Sequence, residues 1–527
     1  MRPAKAAGDT GGGFWVLAVT ILGSAMPFID YSALNVILPV LQKELRASVA
    51  DVQWIVSAYI LFLSSLILVG GALGDIYGRR RMFGVGVILF AAASVWCGMV
   101  STARDLIIAR AFQGVGGALL VPGSLSIINA YFKGEAQPRA IGIWSAFSAI
   151  TTAVGPILGG YFAEELTWRL VFYINAPVAL IVLVLLYLRV PESRDDSRER
   201  TADWPGALLV TLGLGGVTYG FIEYPERGAA DPVIIASLLG GAAALVLFVF
   251  VESKSTDPMV PLSLFKSAAF TGANVLTLLL YAALGGIMFF LPFNLIHVQG
   301  YSPTETGLTF LPFIIVMFTL SLLSGRLVNR LGNKFLLVTG PAITAAGFLM
   351  FSLPGIGGTF WTTFFPAILV MSVGMSLTVA PLTSTVMAAA ARELSGAASG
   401  VNNAVSRIAG LLAIAVMGIF ILGTFNLELN DRFGNMSLAP ELRAELDAQR
   451  NQLSAMPIPP AATPETKVAL KTAIGESFLA GYRVVCYICS ALALISAGTA
   501  FFMIPGRLEG DDEPATPDAT PDMNADA

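Results

Sequence analysis

Charge is scarce in this chain. Of its 527 residues only 13% are Asp, Glu, Lys or Arg, against 55% that are apolar, and the mean hydropathy is +0.75. Soluble domains carry about 25% charged residues, so a water-soluble core could not absorb this much apolar sequence and the surplus has to face lipid. Histidine occurs once, at His297, which excludes histidine metal clusters and relays of several imidazoles. Cysteine occurs three times, at Cys97, Cys486 and Cys489. The last two have C-x-x-C spacing inside an apolar run, where two small residues on one helix face are a simpler reading than a redox or metal site. No Walker-type phosphate loop, metal-ligand cluster, G-x-S-x-G elbow or basic stretch suited to nucleic acid is present. Enzyme, ATP-driven pump and nucleic-acid binder are disfavoured, and no cofactor is expected.

What the chain has is a series of apolar runs, each near the 20 or so residues that cross a bilayer. They fall at residues 14–41, 51–73, 82–101, 105–130, 139–163, 169–189, 204–222, 232–251, 268–298, 304–328, 334–353, 361–389, 396–424 and 477–504, fourteen in all. The first is too long for a signal-peptide core and lacks a small-residue cleavage site, so it reads as a retained span. Lys and Arg concentrate in one set of short loops, including Arg79, Arg80, Arg81, Lys133, Arg139, Arg326, Arg330 and Lys334. That imbalance predicts an inner-membrane protein with both termini in the cytoplasm. The expected class is an all-α polytopic membrane protein. Its parts are a tail (1–13), a six-helix bundle (14–190), a charged linker (191–203), two extra helices (204–251), a second six-helix bundle (252–505) and an acidic disordered tail (506–527). The one long outer loop, 426–476, has helical composition over 440–456 and a proline-rich break after it. It reads as an unattached polar excursion, with docking of a periplasmic partner as the rival.

Two charges lie deep in the apolar runs of the first half, Asp30 and Arg110. An ionised group at membrane depth costs about 2.5–3.5 kcal/mol on insertion scales, so such groups face protein or a water-filled cavity and mark function. At 1.5 Å per residue Asp30 falls roughly 16 Å, and Arg110 roughly 9 Å, below the outer end of its span. A long arginine side chain spans much of that difference. Arginine keeps its proton and can bias a nearby acid without carrying the proton itself. A titratable acid beside a permanent cation points to transport coupled to protons.

Glycine patterns surround this pair. Gly70, Gly74 and Gly78 are four apart and form a smooth helix stripe, with Gly71 and Asp75 beside it and Arg79, Arg80 and Arg81 following. A carboxylate there can accept from an arginine or a helix N-terminus and latch the inner side shut. The segment 71–80 echoes 325–334, with Asn329 where Asp75 stands, as in two related halves around a membrane-normal axis. Arg110, Gly114 and Ala118 share one face of the fourth span. In the fifth, Gly155-Pro-Ile-Leu-Gly-Gly160 combines a kink at Pro156 with small residues at Gly155, Gly159 and Gly160.

Gly70-Gly-Ala-Leu-Gly-Asp-Ile-Tyr-Gly-Arg-Arg-Arg81 resembles the signature loop of the major facilitator superfamily, and Gly155-Pro-Ile-Leu-Gly-Gly160 resembles its antiporter motif, which marks exporters. Asp30-Tyr-Ser-Ala-Leu-Asn-Val-Ile-Leu-Pro39, Trp168-Arg-Leu-Val-Phe-Tyr-Ile-Asn-Ala-Pro177, Asp203-Trp-Pro-Gly206, Gly300-Tyr-Ser-Pro303 and Gly396-Ala-Ala-Ser-Gly-Val-Asn-Asn403 with Arg407 resemble the fourteen-helix drug:proton antiporters of the EmrB/QacA type. The likeness covers residues 14–505 or so. It implies the facilitator fold, with coupling at Asp30, proton transfer at Arg110 and gating at Asp75 and its arginines. The second acid with which some relatives bind cations is absent, which argues against a preference for dications.

The expectation is a proton-coupled antiporter that exports small amphipathic compounds or drugs, with protons, the substrate and the lipid bilayer as its partners. Transport of one endogenous metabolite, lipid or siderophore is a rival that the same fold serves. A non-transporting receptor or scaffold is a rival of another class and predicts no flux. Arg407 is expected to snorkel at its helix end, and Glu223, Glu226 and Arg227 to lie in a solvated loop. Phe289, Phe290, Phe293, Met317 and Phe318 are expected in core or lipid-facing packing.

Overall fold

The computed structural model describes residues 10–134, 136–194, 202–256, 258–390, 394–436 and 438–506. The expectations for residues 1–9, for 195–201 of the linker and for the tail beyond Gly506 fall outside them. So do the side chains of Arg326 and Asn329 in the second-half echo. The described residues contain helices and no strand. Lipid offers no partner for backbone N–H and C=O, so a spanning segment has to satisfy them within itself.

Fourteen of the helices are long and apolar enough to cross a membrane, the number the sequence predicts. They are α1 (Gly12–Glu44), α2 (Val49–Tyr77), α3 (Arg79–Met99), α4 (Ala103–Tyr131), α5 (Arg139–Leu166), α6 (Leu170–Arg189) and α7 (Trp204–Arg227). Then come α8 (Pro232–Lys254), α9 (Ala268–Val298), α10 (Pro303–Leu320), α11 (Asn333–Met350), α12 (Phe365–Ala388), α13 (Gly396–Gly434) and α14 (Pro464–Met503).

The starts are written in polar residues. Ser48 and Ser302 each close a capping box, with Asp51 and Glu305, while Thr102, Asp203, Asp231 and Thr463 accept a backbone N–H of the first turn. Between α2 and α3 the chain turns on Gly78, at φ +105°, where an L side chain would be strained and its Cβ would stand 2.8 Å from the Glu192 carboxyl.

With fourteen spans, α1 begins on the face where α14 ends, here called the terminal face. The halves meet at the opposite face. There Gly160 of α5 lies against the Pro303 backbone and Gly307 of α10 against the Pro156 backbone, and Glu164 accepts from the Thr304 N–H at 3.0 Å. Gln53 of α2 donates to the Ile414 carbonyl of α13 beside Gly418. Helices α7 and α8 pack chiefly on each other through Gly213, Gly216, Gly220 and Gly241.

Two expectations are corrected. The segment 426–476 is neither a loop throughout nor unattached. Helix α13 runs on to Gly434 and α14 starts at Pro464, and the two are joined by Arg432 of α13 pairing with Glu476 of α14. At 1.5 Å per residue each is about 60 Å long, twice the roughly 30 Å of hydrocarbon. The short helix Pro440–Asp447 and the turn after it fold back on the opposite face, burying Leu446, Leu453 and Met456. Gln42 donates to the Gln452 carbonyl at 3.1 Å. Second, Glu223, Glu226 and Arg227 are not a loop but the last turns of α7, and Glu223 accepts from the Trp54 indole at 3.1 Å, tying α7 to α2. Cys486 and Cys489 are free, buried, and one turn apart on α14.

Candidate functional site

Close packing of α4 on α2 builds the site. A Cβ at Gly114 would meet the Tyr59 carbonyl, and one at Gly70 would meet the Ala118 carbonyl. With no side chains in the way, the two backbones come close enough for Arg110 Nε to donate to the Ile55 carbonyl at 3.2 Å. The guanidinium then lies over the Tyr59 ring, 4.2 Å from its centroid, a cation–π contact of about 0.5–2 kcal/mol.

Asp30 of α1 closes the site from the other side. Its Oδ2 accepts from Arg110 Nη1, and its Oδ1 accepts from the Gln113 amide at 2.8 Å. Gln113 Oε1 in turn accepts from Arg110 Nη1 at 2.6 Å. Asp30, Arg110 and Gln113 are all 0% exposed. Removing two charges from water costs several kcal/mol per ion, and only good geometry with further hydrogen bonds offsets it. Those bonds are supplied: Ser94 accepts from Gln113 at 3.2 Å and from Asn175 at 2.9 Å and donates to the Phe172 carbonyl, so α3 and α6 hold the amide that holds the pair. Arg110 Nη2 alone has no partner.

Next to this network lies a cavity of about 380 Å³ between the halves. Tyr31, Ser32 and Asn35 of α1, Tyr59 of α2 and Pro156 of α5 line one side. Tyr281 and Met288 of α9, Phe313 of α10 and Asn403, Ser406 and Arg407 of α13 line the other. Tyr59 is thus a wall common to the cavity and the ion pair, stacked on Tyr31 at 6.5 Å between centroids. Arg407 does not snorkel at a helix end, as the sequence led us to expect. It sits inside this cavity because the face of α13 that carries it turns toward α1 and α2.

Of the glycine stripe, Gly70 makes the close approach, whereas Gly74 would place a Cβ with nothing within 4 Å. Asp75 accepts two bonds from Arg79, at 3.0 and 2.9 Å. Arg80 binds the Val190 carbonyl, and Arg80 and Arg81 lie 3.8 and 3.7 Å from Glu192, so the linker's first residues clasp the loop. A Cβ at Gly71 would lie 3.8 Å from Pro122, in ordinary contact. Along α5, Gly155 and Gly159 seat the helix on Ser32 and Ala33 of α1, one turn from Asp30, while Gly160 faces α10.

The profile of the Major Facilitator Superfamily matches residues 20–414. The chain belongs to that superfamily. As a member it is a multi-pass membrane transporter of small molecules, not an enzyme. Among curated proteins it is 30% identical over 490 residues to the tetracenomycin C resistance and export protein of Streptomyces glaucescens, covering 92% of this chain and 90% of that one. It is 31% identical to the puromycin resistance protein pur8 of Streptomyces alboniger, over 96% and 94% of the two chains. It is 34% identical to the multidrug resistance protein Stp of Mycobacterium tuberculosis, over 76% and 74%. A bacterial homolog of the human lysosomal transporter Spinster superposes at a TM-score of 0.68 with 17% identity, over 95% and 99% of the chains, and shares the fold.

Within this superfamily member the fold brings Asp30 and Arg110 into contact and sets the Gly155–Gly160 element against α1. It leaves Asp75 and its arginines at the terminal face, apart from the pair. Sequence reasoning passed over Gln113, Tyr59, Ser94, Asn175 and Glu192. Gln113 had a signal, standing one turn from Arg110 at i+3. The others come from separate helices and had none. Phe289, Phe290 and Phe293 are buried in the core and Phe318 is exposed, as expected of packing residues.

Proposed function

We propose that the chain is a proton-coupled antiporter that exports small amphipathic compounds, with Asp30 as the group that takes and releases the proton. The reading rests on one observation above others: a buried acid is paired with a permanent cation behind Tyr59, a side chain that also lines the cavity. The relatives named as resistance and export proteins supply the direction of transport. The Lys and Arg bias of the short loops supports placing the terminal face, and both termini, in the cytoplasm of an inner-membrane protein.

Two bundles, 14–190 and 252–505, rock about the cavity, with 204–251 beside them. When the site faces the acidic side, protonation of Asp30 removes its charge from Arg110. The guanidinium keeps the Ile55 carbonyl and Gln113 but is free to shift with the Tyr59 ring. The cavity wall moves, bound compound leaves, and the bundles switch. When the site faces the cytoplasm the proton departs and the Asp30 carboxylate pairs with Arg110 again. The Gly71–Arg81 loop gates the terminal face, with Gly74 as the open seat for the second bundle in the other state. The Gly155–Gly160 element transmits the movement of α1 to α10.

The test is an everted-vesicle assay with an imposed pH gradient and a panel of fluorescent dyes and metabolites. At least one amphipathic dye should accumulate with the gradient and stop when Asp30→Asn replaces the native chain at equal membrane abundance. Coupled accumulation by Asp30→Asn in proteoliposomes rejects the assignment.

A further inference from the structure

We infer that Arg407 is an anion-recognising subsite of the central cavity, and that the compounds this transporter carries include compact ring systems bearing a carboxylate. This builds on the cavity's role as substrate site and adds the class of compound. Among the described lining residues Arg407 is the one with a fixed charge, and no Asp or Glu accompanies it. The contrast with Arg110 is instructive. That guanidinium has Asp30 as its counter-ion, whereas Arg407 makes no described hydrogen bond or ion pair, and its Nε is buried without a partner.

A bare cation inside a membrane-spanning bundle is costly unless water or an anion meets it. A guanidinium matches a carboxylate through two parallel bonds. Asn403 stands one turn before Arg407 on the same face of α13, with its amide aimed no further than its own helix at 3.5 Å from the Ser399 carbonyl. Gly410, on the next turn, has nothing within 4 Å of its Cβ position, which leaves room beside the guanidinium. Tyr31 and Tyr59 line the same cavity. The body of the ligand therefore meets rings, in a space of about 380 Å³ that suits a fused ring system better than a long acyl chain.

The experiment is equilibrium binding to the full chain in zwitterionic nanodiscs, with 1-pyrenebutyrate and its neutral twin 1-pyrenebutyramide as probes and decanoate as competitor. The wild type should bind the acid about tenfold more tightly than the amide. Arg407→Gln should bring that ratio near unity with the affinity for the amide held, and Arg407→Lys should restore part of it. Decanoate should displace the acid about tenfold less well than unlabelled pyrenebutyrate does, since a flexible chain loses rotamer freedom that a ring does not. Equal binding of acid and amide by the wild type, or equal weakening of both by a folded Arg407→Gln, overturns the subsite. Decanoate competing on equal terms overturns the ring preference. The readout needs no gradient. A preserved acid–amide contrast with no proton-driven flux would reject the coupling reading alone, while flux of neutral dyes without the contrast would reject this inference alone.

Discussion

The guanidinium of Arg110 rests on one face of the Tyr59 ring, 4.2 Å from its centroid, and that ring is also a wall of the central cavity. The ion pair and the cavity therefore share a single side chain. Any compound that presses on Tyr59 acts on the cation that holds Asp30.

Truncating that ring should unseal the pair. Tyr59→Ala removes a contact worth about 0.5–2 kcal/mol and gives water a way from the cavity to Asp30. Proteoliposomes carrying this variant should leak protons without substrate, read by a lumenal pH dye. Leak equal to wild type would show that Tyr59 is not the partition.

Arginine and lysine should not exchange at 110. Arg110 uses Nε toward Ile55 and Nη1 toward Asp30 and Gln113, a fork that an ammonium cannot copy. Arg110→Ala leaves Asp30 buried without its counter-ion, a loss of about 3–5 kcal/mol for a fully buried pair, and should lower the melting temperature in detergent clearly. Arg110→Lys should melt nearer the wild type yet lose gradient-driven efflux. Full efflux by the lysine variant contradicts this account.

Gly78 of the turn and Gly74 of α2 should separate stability from turnover. Gly78→Ala forces a left-handed backbone on an L residue and drives its Cβ toward Glu192, so it should cost about 1–2 kcal/mol and melt early. Gly74→Leu has open space in this state and should melt as the wild type does. If the terminal face closes over Gly74 during the cycle, the leucine should nonetheless slow transport. Unimpaired transport by a stable Gly74→Leu would show that the stripe is not a closing surface.

Closure at the opposite face should depend on Gly160. A side chain there meets the Pro303 backbone, so Gly160→Leu should hold α5 and α10 apart. All three native cysteines are buried, so a cysteine introduced at Thr304 gives a clean signal. An impermeant maleimide should label it faster in the Gly160→Leu background. Unchanged labelling would mean that the contact does not control access.

Much of this was legible in the chain. Apolar run length gave fourteen spans because the bilayer imposes a length and leaves the backbone one way to satisfy itself. The deep charges were legible because their cost singles them out, and the Arg110, Gly114 and Ala118 spacing already said that α4 would press on a neighbour. What could not be read was convergence. Gln113, Ser94 and Asn175 are ordinary polar residues until three helices bring both amides within 3.2 Å of the Ser94 hydroxyl. Arg407 was misplaced because its depth along α13 gave no clue to the face it occupied. The segment 426–476 was misread because polar composition marks departure from lipid, not the end of a helix, and α13 and α14 simply continue into water.

The lone cation in the cavity also has an electrical consequence. If a monoanion leaves each time one proton enters, a single turnover shifts the equivalent of two elementary charges down the membrane potential. At about 2.3 kcal/mol per charge for each 100 mV, voltage then contributes roughly twice what it would for a neutral cargo. Such a carrier would register on an electrode as a current whose size depends on the ionisation of its passenger.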